Sequence, residues 1–309
     1  MRAFVTGATG LIGAGTVRAL VAAGHEVIGL TSREAGRATI ERMGARAIIG
    51  DMRDAAAYRE AARTADAIVH AAAAFPDTIR YSKADVDAFV GADADAIDAL
   101  LRVAGPSCKK LVFSSGAYVY GDTGPTPVEE THGTERHHAV MERKLEIEGK
   151  LRDLARSGGI PAVIARCGMV LGDGSLWGKL YLAPMRRGRR AMLPGPGRNV
   201  ISFVHQDDAG TAYLALIEHG VPGDAYSVAD DEPAPLGDVV RAQAAALGAP
   251  APFSVPAWLV RLVGGPYGAP ATLAHSALSN RKLRGLGWAP RYPTYRESVA
   301  ALATAIRAR

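Results

Sequence analysis

Two stretches of this chain carry residues whose kinds and spacing could do chemistry. The first is Thr6-Gly7-Ala8-Thr9-Gly10-Leu11-Ile12-Gly13. Gly7 permits a tight turn out of a strand, Gly10 lets backbone amides approach a pyrophosphate, and Gly13 lets a helix pack closely on that strand. The unpaired N–H groups and positive end of the following helix would face the anion. Gly7, Thr9, Gly10, Leu11, Ile12 and Gly13 are therefore expected to contact a dinucleotide. The second stretch is Thr31-Ser32-Arg33, with Arg37 one helical turn beyond. A carboxylate here would accept from a ribose 2′-OH and repel a 2′-phosphate, whereas a hydroxyl with guanidinium forks would hold the phosphate through charge-assisted hydrogen bonds. Ser32, Arg33 and Arg37 thus point to NADPH. Other chemistry is sparse. The two cysteines, Cys108 and Cys167, form no Cys-x-x-Cys pair, so neither a disulfide framework nor a metal site is expected. The basic run Arg186-Arg187-Gly188-Arg189-Arg190 has no interleaved aromatics and reads as a solvated turn, not a nucleic-acid surface.

The elements that must position these residues follow from periodicity. Arg2–Thr6 reads as a strand, the stretch to Ala23 as a helix, and Glu26–Leu30 as a second strand, a βαβ unit in which a glycine-rich turn has meaning. Strands are predicted at 45–49, 67–70, 110–115 and 160–165, and helices at 55–64, 82–104 and 134–157. Such alternation predicts an α/β fold, a Rossmann-type doubly wound parallel sheet with helices on both faces. After Gly168 glycine and proline crowd the chain. The expected division is a dinucleotide-binding domain at 1–168, to which 200–228 returns, and a smaller substrate-binding region at 169–199 and 229–309. The 309 residues, 48% hydrophobic and 22% charged with a net charge of +5, suit a globular protein. No apolar run approaches the ~18 residues of a membrane span. No signal peptide is read before the first motif, so a cytoplasmic location is expected.

These residues resemble the extended branch of the short-chain dehydrogenase/reductase superfamily, the NAD(P)-dependent epimerase/dehydratase type, along nearly the whole chain. Asp51 and Met52 in Gly50-Asp51-Met52-Arg53-Asp54 resemble the family's adenine-contacting turn. Ala71, Ala72 and Ala73 resemble its loop under the nicotinamide ribose. Val119-Tyr120-Gly121, Lys144-Leu145-Glu146, Ser202-Phe203-Val204-His205 and Leu286-Gly287-Trp288 resemble its later signatures. The resemblance implies that Lys144 holds the nicotinamide ribose; Met169 joins the expected cofactor contacts. Two catalytic positions depart from the family. Its tyrosine, four residues before the lysine, is Val140 here, and its serine or threonine, three before Val-Tyr-Gly, is Gly116. General acid–base help is worth ~10²–10⁴ in rate, whereas holding reactants in attack geometry supplies ~7–11 kcal/mol. Hydride transfer can therefore survive the loss if the proton comes from elsewhere.

Ser115 and His137 are the substitute donors weighed beside Lys144, His137 because a helix over 134–157 would place it on the lysine's face. His138 would then point away. Tyr118 and Tyr120 flank the substrate side of the strand, and His70, His205 and Cys167 are expected to be structural. The segment Asn199-Val200-Ile201-Ser202-Phe203 puts Ile201 where sugar-nucleotide members carry a basic residue, and the C-terminal region is rich in Leu, Trp, Tyr and Pro. The expected activity is NADPH-dependent reduction of a ketone on a small, largely apolar or aromatic, polyketide-type substrate, similar to angucyclinone ketoreductases of the extended branch that lack the Ser–Tyr pair. A sugar-nucleotide epimerase or dehydratase and a non-catalytic NADP-binding protein remain open. The expected partner is the ketone alone, with neither nucleic acid nor membrane, in a monomer or homodimer.

Overall fold

The computed structural model describes residues 1–72 and 82–308. Seven parallel strands form one sheet in the order β7-β6-β5-β4-β1-β2-β3: β1 Arg2–Thr6, β2 Glu26–Thr31, β3 Arg46–Ile49, β4 Ala67–His70, β5 Lys110–Gly116, β6 Ala162–Cys167 and β7 Ala225–Val228. Every residue of β4, β6 and β7 is buried, as a parallel sheet covered on both faces requires. Strand alternation sorts the side chains into two cores. Val5, Val69, Val112 and Ala165 pack under α1 (Leu11–Ala22) and α6 (Gln206–His219). Phe4, Ile68, Leu111 and Phe113 pack under α3 (Ala55–Thr64), α4 (Lys83–Val103) and α5 (Glu142–Arg156). The chain runs from β1 outward to β3 through α2 (Glu34–Arg42), then crosses back to β4 on the other side of β1. That reversal opens a crevice at the carboxyl ends of β1 and β4, the place where such sheets bind ligands.

A third core gathers Trp177, Tyr181, Leu182 and Phe203 with Leu236 and Val240 of α7 (Leu236–Leu247) and Val299 of α9 (Tyr295–Arg307). Between them α8 (Ala257–Leu273) is broken at Gly265, whose φ of +66° begins a kink extended by Pro266 and Pro270. No described helix is long and apolar enough to cross a membrane.

One predicted helix starts later than expected. The helix expected over 134–157 begins only at Glu142, after a tight turn over Ala139–Met141. Backbone amides upstream are spent elsewhere: His138 N–H donates to the Tyr118 carbonyl (3.3 Å) and His137 N–H to that of Thr134 (3.2 Å). The apolar run 200–204 is two pieces. Val200–Ile201 pairs antiparallel with Ala234–Pro235, and Phe203–His205 runs parallel to Met169–Leu171. Ser202 divides them, its N–H donating to the Ser276 carbonyl (2.9 Å).

Candidate functional site

The glycine turn is built by contact, not by flexibility alone. Gly7 has a φ of +67°, and a Cβ there would lie 2.6 Å from the backbone N and Cα of Ala72, so the loop after β4 lies directly on the turn after β1. A Cβ on Gly13 would come within 2.1 Å of the Gly7 carbonyl oxygen. Gly10 caps α1 in an extended conformation without a side-chain cap, and no acidic residue stands in the first turn. The first amides of α1 have no intrahelical acceptor; the turn is thus shaped to receive an anion. Ala71 and Ala72 border this crevice, while Ala73 lies outside the described residues. Leu11 packs on Gly172 of the facing region, and Ile12 on the core beneath the sheet.

At the end of β2, Thr31 is pressed close by α2: a Cβ on Gly36 would be 2.1 Å from its Oγ1. Ser32 is exposed. Arg33 caps α2 in an extended conformation, and its guanidinium has no partner among the described residues. Arg37 donates to Glu34 (2.8 Å), with which it forms an ion pair. Asp51 accepts from Arg53 Nε (2.9 Å) and N–H (2.8 Å), hydrogen bonds that hold its carboxyl at about 2. The carbonyl of Met52 accepts from the Tyr58 hydroxyl (2.8 Å). Met169 is half-buried, and its N–H donates to the Ser202 carbonyl (2.8 Å). These residues fit a nicotinamide dinucleotide: the turn leaves no room for side chains where a pyrophosphate must approach, and an unpaired cation stands at the end of β2.

Deeper in, Lys144 is buried on the inner face of α5. Its ammonium donates to the Ser114 carbonyl (3.0 Å), lies 4.9 Å above the Phe113 ring and forms an ion pair with Asp93 of α4. Asp93 is completely buried, and its second oxygen faces His70 Nε2 at 3.8 Å. His70 Nδ1 is hydrogen bonded in turn to Thr6 Oγ1 (2.9 Å). Burial pushes the Asp93 carboxyl up, but Lys144 and His70 outweigh it, and the net displacement is below the usual carboxylate range. Two linked polar pairs, Thr6–His70 and Asp93–Lys144, thus lie beside one another between β1 and α5. The sequence carried a signal of Asp93: it is the acid in the apolar stripe Val86, Phe89, Val90, Ala96, Ile97, Leu100 of α4.

Where the tyrosine and serine hydroxyls of the resembled family would stand there is hydrocarbon. Val140 packs with Tyr267 against Val86, Phe89 and Val90. A Cβ on Gly116 would meet Met141 Cε at 3.4 Å. The weighed substitutes are scattered. The Ser115 hydroxyl is buried with no hydrogen-bond partner among the described residues, on the sheet face shared by Phe113, while Ser114 faces away and accepts from the Tyr213 hydroxyl (2.7 Å). His137 lies before the helix, so the helical spacing that put it on the Lys144 face does not apply; its Nδ1 is instead 2.8 Å from the Thr134 carbonyl. His138 is the imidazole beside the strand end. It meets the Tyr118 ring edge-on at 5.7 Å, its Nε2 is buried without a partner among the described residues, and burial pushes its pKa down. Burial also pushes the Tyr118 phenol up to about 12. Tyr120 accepts from Arg166 (2.8 Å), itself paired with the buried Glu148 (2.6 Å) of α5. His205 caps α6, accepting from Asp207 N–H (3.2 Å), and burial lifts the Cys167 thiol to about 11.

A family model described as the NAD dependent epimerase/dehydratase family matches residues 3–229. A 3-diazoavenalumate denitrifying reductase from a Streptomyces species is 31% identical over 97% of this chain and 99% of its own. A 2′-dehydrokanamycin reductase of Streptomyces kanamyceticus is 30% identical over 83% of this chain and 70% of its own. The dTDP-glucose 4,6-dehydratase DesIV of Streptomyces venezuelae, solved with NAD, matches with a TM-score of 0.83 at 25% identity, over 100% of this chain and 98% of its own. These matches make the chain a member of the NAD dependent epimerase/dehydratase family and an NAD(P)-dependent oxidoreductase.

Proposed function

We propose that this protein uses NADPH to reduce a ketone on a small, largely apolar or aromatic substrate of polyketide type, without a protein hydroxyl at the usual proton-donating position. The observation that carries this reading is the pair Val140 and Gly116, lined by Met141, Val86, Phe89 and Val90, beside a retained Lys144. The bound nicotinamide supplies the hydride. The glycine turn would hold the pyrophosphate, Arg33 the 2′-phosphate, and Lys144 the ribose hydroxyls. The apolar wall at Val140 keeps water from that side and suits a flat apolar ketone better than a diphosphate sugar. The carbonyl carbon gains hydride, and the resulting alkoxide takes its proton from water or from an acidic group on the substrate such as a neighbouring phenol.

A second reading is favoured by the same two residues together with the 31% identical reductase, named for removing nitrogen from a diazo compound. Hydride delivered to the carbon of an aryl diazonium forms a C–H bond, breaks the C–N bond and releases N2. No proton is required, so a site without a general acid would be adequate. An epimerase or dehydratase reaction on a nucleotide sugar, as catalysed by DesIV, needs a base to take a hydroxyl proton at the outset, and Val140 cannot serve.

Purified protein is titrated with NADPH and NADH, then given a panel of aromatic ketones, aryl diazonium compounds and nucleotide sugars while reduced-nicotinamide absorbance is followed. NADPH consumption with ketones, giving alcohols, is expected. Consumption only with diazonium compounds selects the second reading. Turnover of a nucleotide sugar alone, or binding without consumption across the whole panel, overturns both.

A further inference from the structure

Lys144 has no phenol beside it on α5, yet its ammonium is buried and held in place. Its side chain is 8% exposed and that of Asp93 is 0% exposed. An ammonium has three N–H donors. The Ser114 carbonyl takes one and Asp93 neutralises the charge as an ion pair, which leaves donor capacity for a ligand in the crevice. The other oxygen of Asp93 lies 3.8 Å from His70 Nε2, beyond hydrogen-bond reach, and His70 Nδ1 is hydrogen bonded to Thr6, the last residue of β1 before the glycine turn. A buried ion pair is a weak device for stability, because desolvation of two charges offsets most of their attraction and an apolar pair of equal volume packs as well or better. α4 has such residues on both sides of Asp93, at Val90 and Ile97. A charge kept in that stripe therefore invites a role in placing its partner.

We propose that Asp93 is the positioning residue for Lys144: it fixes the ammonium so that its free donor capacity meets the nicotinamide ribose. The proposal rests on Lys144 being the group that holds the ribose, and it is independent of the substrate. Groups facing the ammonium from the surrounding elements are Asp93 on α4, His70 on β4, the Ser114 carbonyl on β5 and Cys167 on β6. Asp93 is the single carboxylate among them.

The test separates the two ends of the cofactor. Affinity is measured by fluorescence titration for the reduced cofactor that the native protein binds more tightly, and by calorimetry for its adenine-side fragment, 2′,5′-ADP or ADP. Asp93→Asn is expected to weaken the whole cofactor at least tenfold and to leave the fragment within twofold. Lys144→Met is expected to do the same, and Asp93→Asn added to Lys144→Met is expected to cost little more, because the carboxylate acts through the lysine. Equal weakening of cofactor and fragment, or an undiminished effect of Asp93→Asn in the Lys144→Met background, shows a structural role and overturns the proposal. An unchanged cofactor affinity in folded Asp93→Asn also overturns it. If Lys144→Met itself binds normally, the reading of Lys144 fails first. Should Asp93→Asn not fold, the paired change Asp93→Leu with Lys144→Met removes both charges; cofactor and fragment affinities equal to those of Lys144→Met alone support the proposal, and a further loss of both cofactor and fragment overturns it.

Discussion

Arg33 and Arg37 lie four residues apart on the same edge of the crevice, but only Arg33 keeps an unengaged guanidinium; Arg37 is clamped by Glu34. Their contributions to a 2′-phosphate should differ accordingly. Hydrogen bonds to charged groups are worth ~1.5–3 kcal/mol, so Arg33→Ala should weaken NADPH binding roughly ten- to hundredfold and change NADH binding less than twofold. Arg37→Ala should cost NADPH affinity less, since Glu34 already occupies its charge. Parallel titrations with the two cofactors check this, and an equal loss for both would show that Arg33 does not read the phosphate. Sequence alone favoured the two arginines equally; the i, i+3 partner that distinguishes them is visible only once α2 is known to begin at Glu34.

At the scale of elements, close backbone approach separates glycines that are needed from those that are not. Gly13→Ala would drive a methyl into the Gly7 carbonyl, so cofactor binding should be lost even where the protein still folds. Gly149, inside α5, has no atom within 4 Å of its would-be Cβ. Gly149→Ala should therefore raise stability by about 0.5–1 kcal/mol, read as a higher denaturant midpoint with unchanged binding. The βαβ opening and the strand–helix alternation were legible because turn sterics and periodicity are local. The start of α5 was not. Thr134 to Met141 carries helix-compatible spacing, yet its amides go to the carbonyl of Tyr118 and to short local turns, a choice made by what lies across the strand end. That displacement removes His137 from the Lys144 face and brings His138 to Tyr118 instead.

Across the whole molecule, buried carboxylates make stability depend on pH in opposite senses. Asp230, at the end of β7, is pushed up to about 9 by burial, with Asp231, Glu232 and Asp208 adding to the effect against a backbone hydrogen bond from Glu232. In the unfolded chain an aspartate titrates near 3.9. The folded state therefore binds the extra proton between those values, and its contribution is fully present below the lower one and is lost as pH rises toward about 9. Asp230→Asn, of equal size and always neutral, should leave stability unchanged at pH 4 and raise it at pH 7, by up to roughly 4 kcal/mol. Denaturant titrations at the two pH values check the sign; a gain at pH 4 as large as that at pH 7 would show that ionisation is not involved. Asp93 runs the other way. Its carboxyl sits below the usual range, so the stability it provides persists above the ordinary aspartate pKa and fades only in stronger acid.

The order of glycines after β1, the absence of an acid at the end of β2 and the valine and glycine at the two hydroxyl positions were fixed by residue identity, which needs no fold to be read. They sufficed for the parallel α/β architecture and the dinucleotide crevice, and they motivated the expectation of hydride chemistry without a tyrosine. What surrounds Lys144 was decided by the tertiary structure. Asp93 comes from the middle of α4, His70 from β4, and Tyr267 from beyond the kink of α8. On a helix that also bears Asp85, Asp87, Asp95 and Asp98, Asp93 is set apart in sequence only by its place in the apolar stripe. Only the packing of α4 against α5 takes it out of water and leaves the lysine as its counter-ion, because burial makes an unpaired carboxylate too costly to keep.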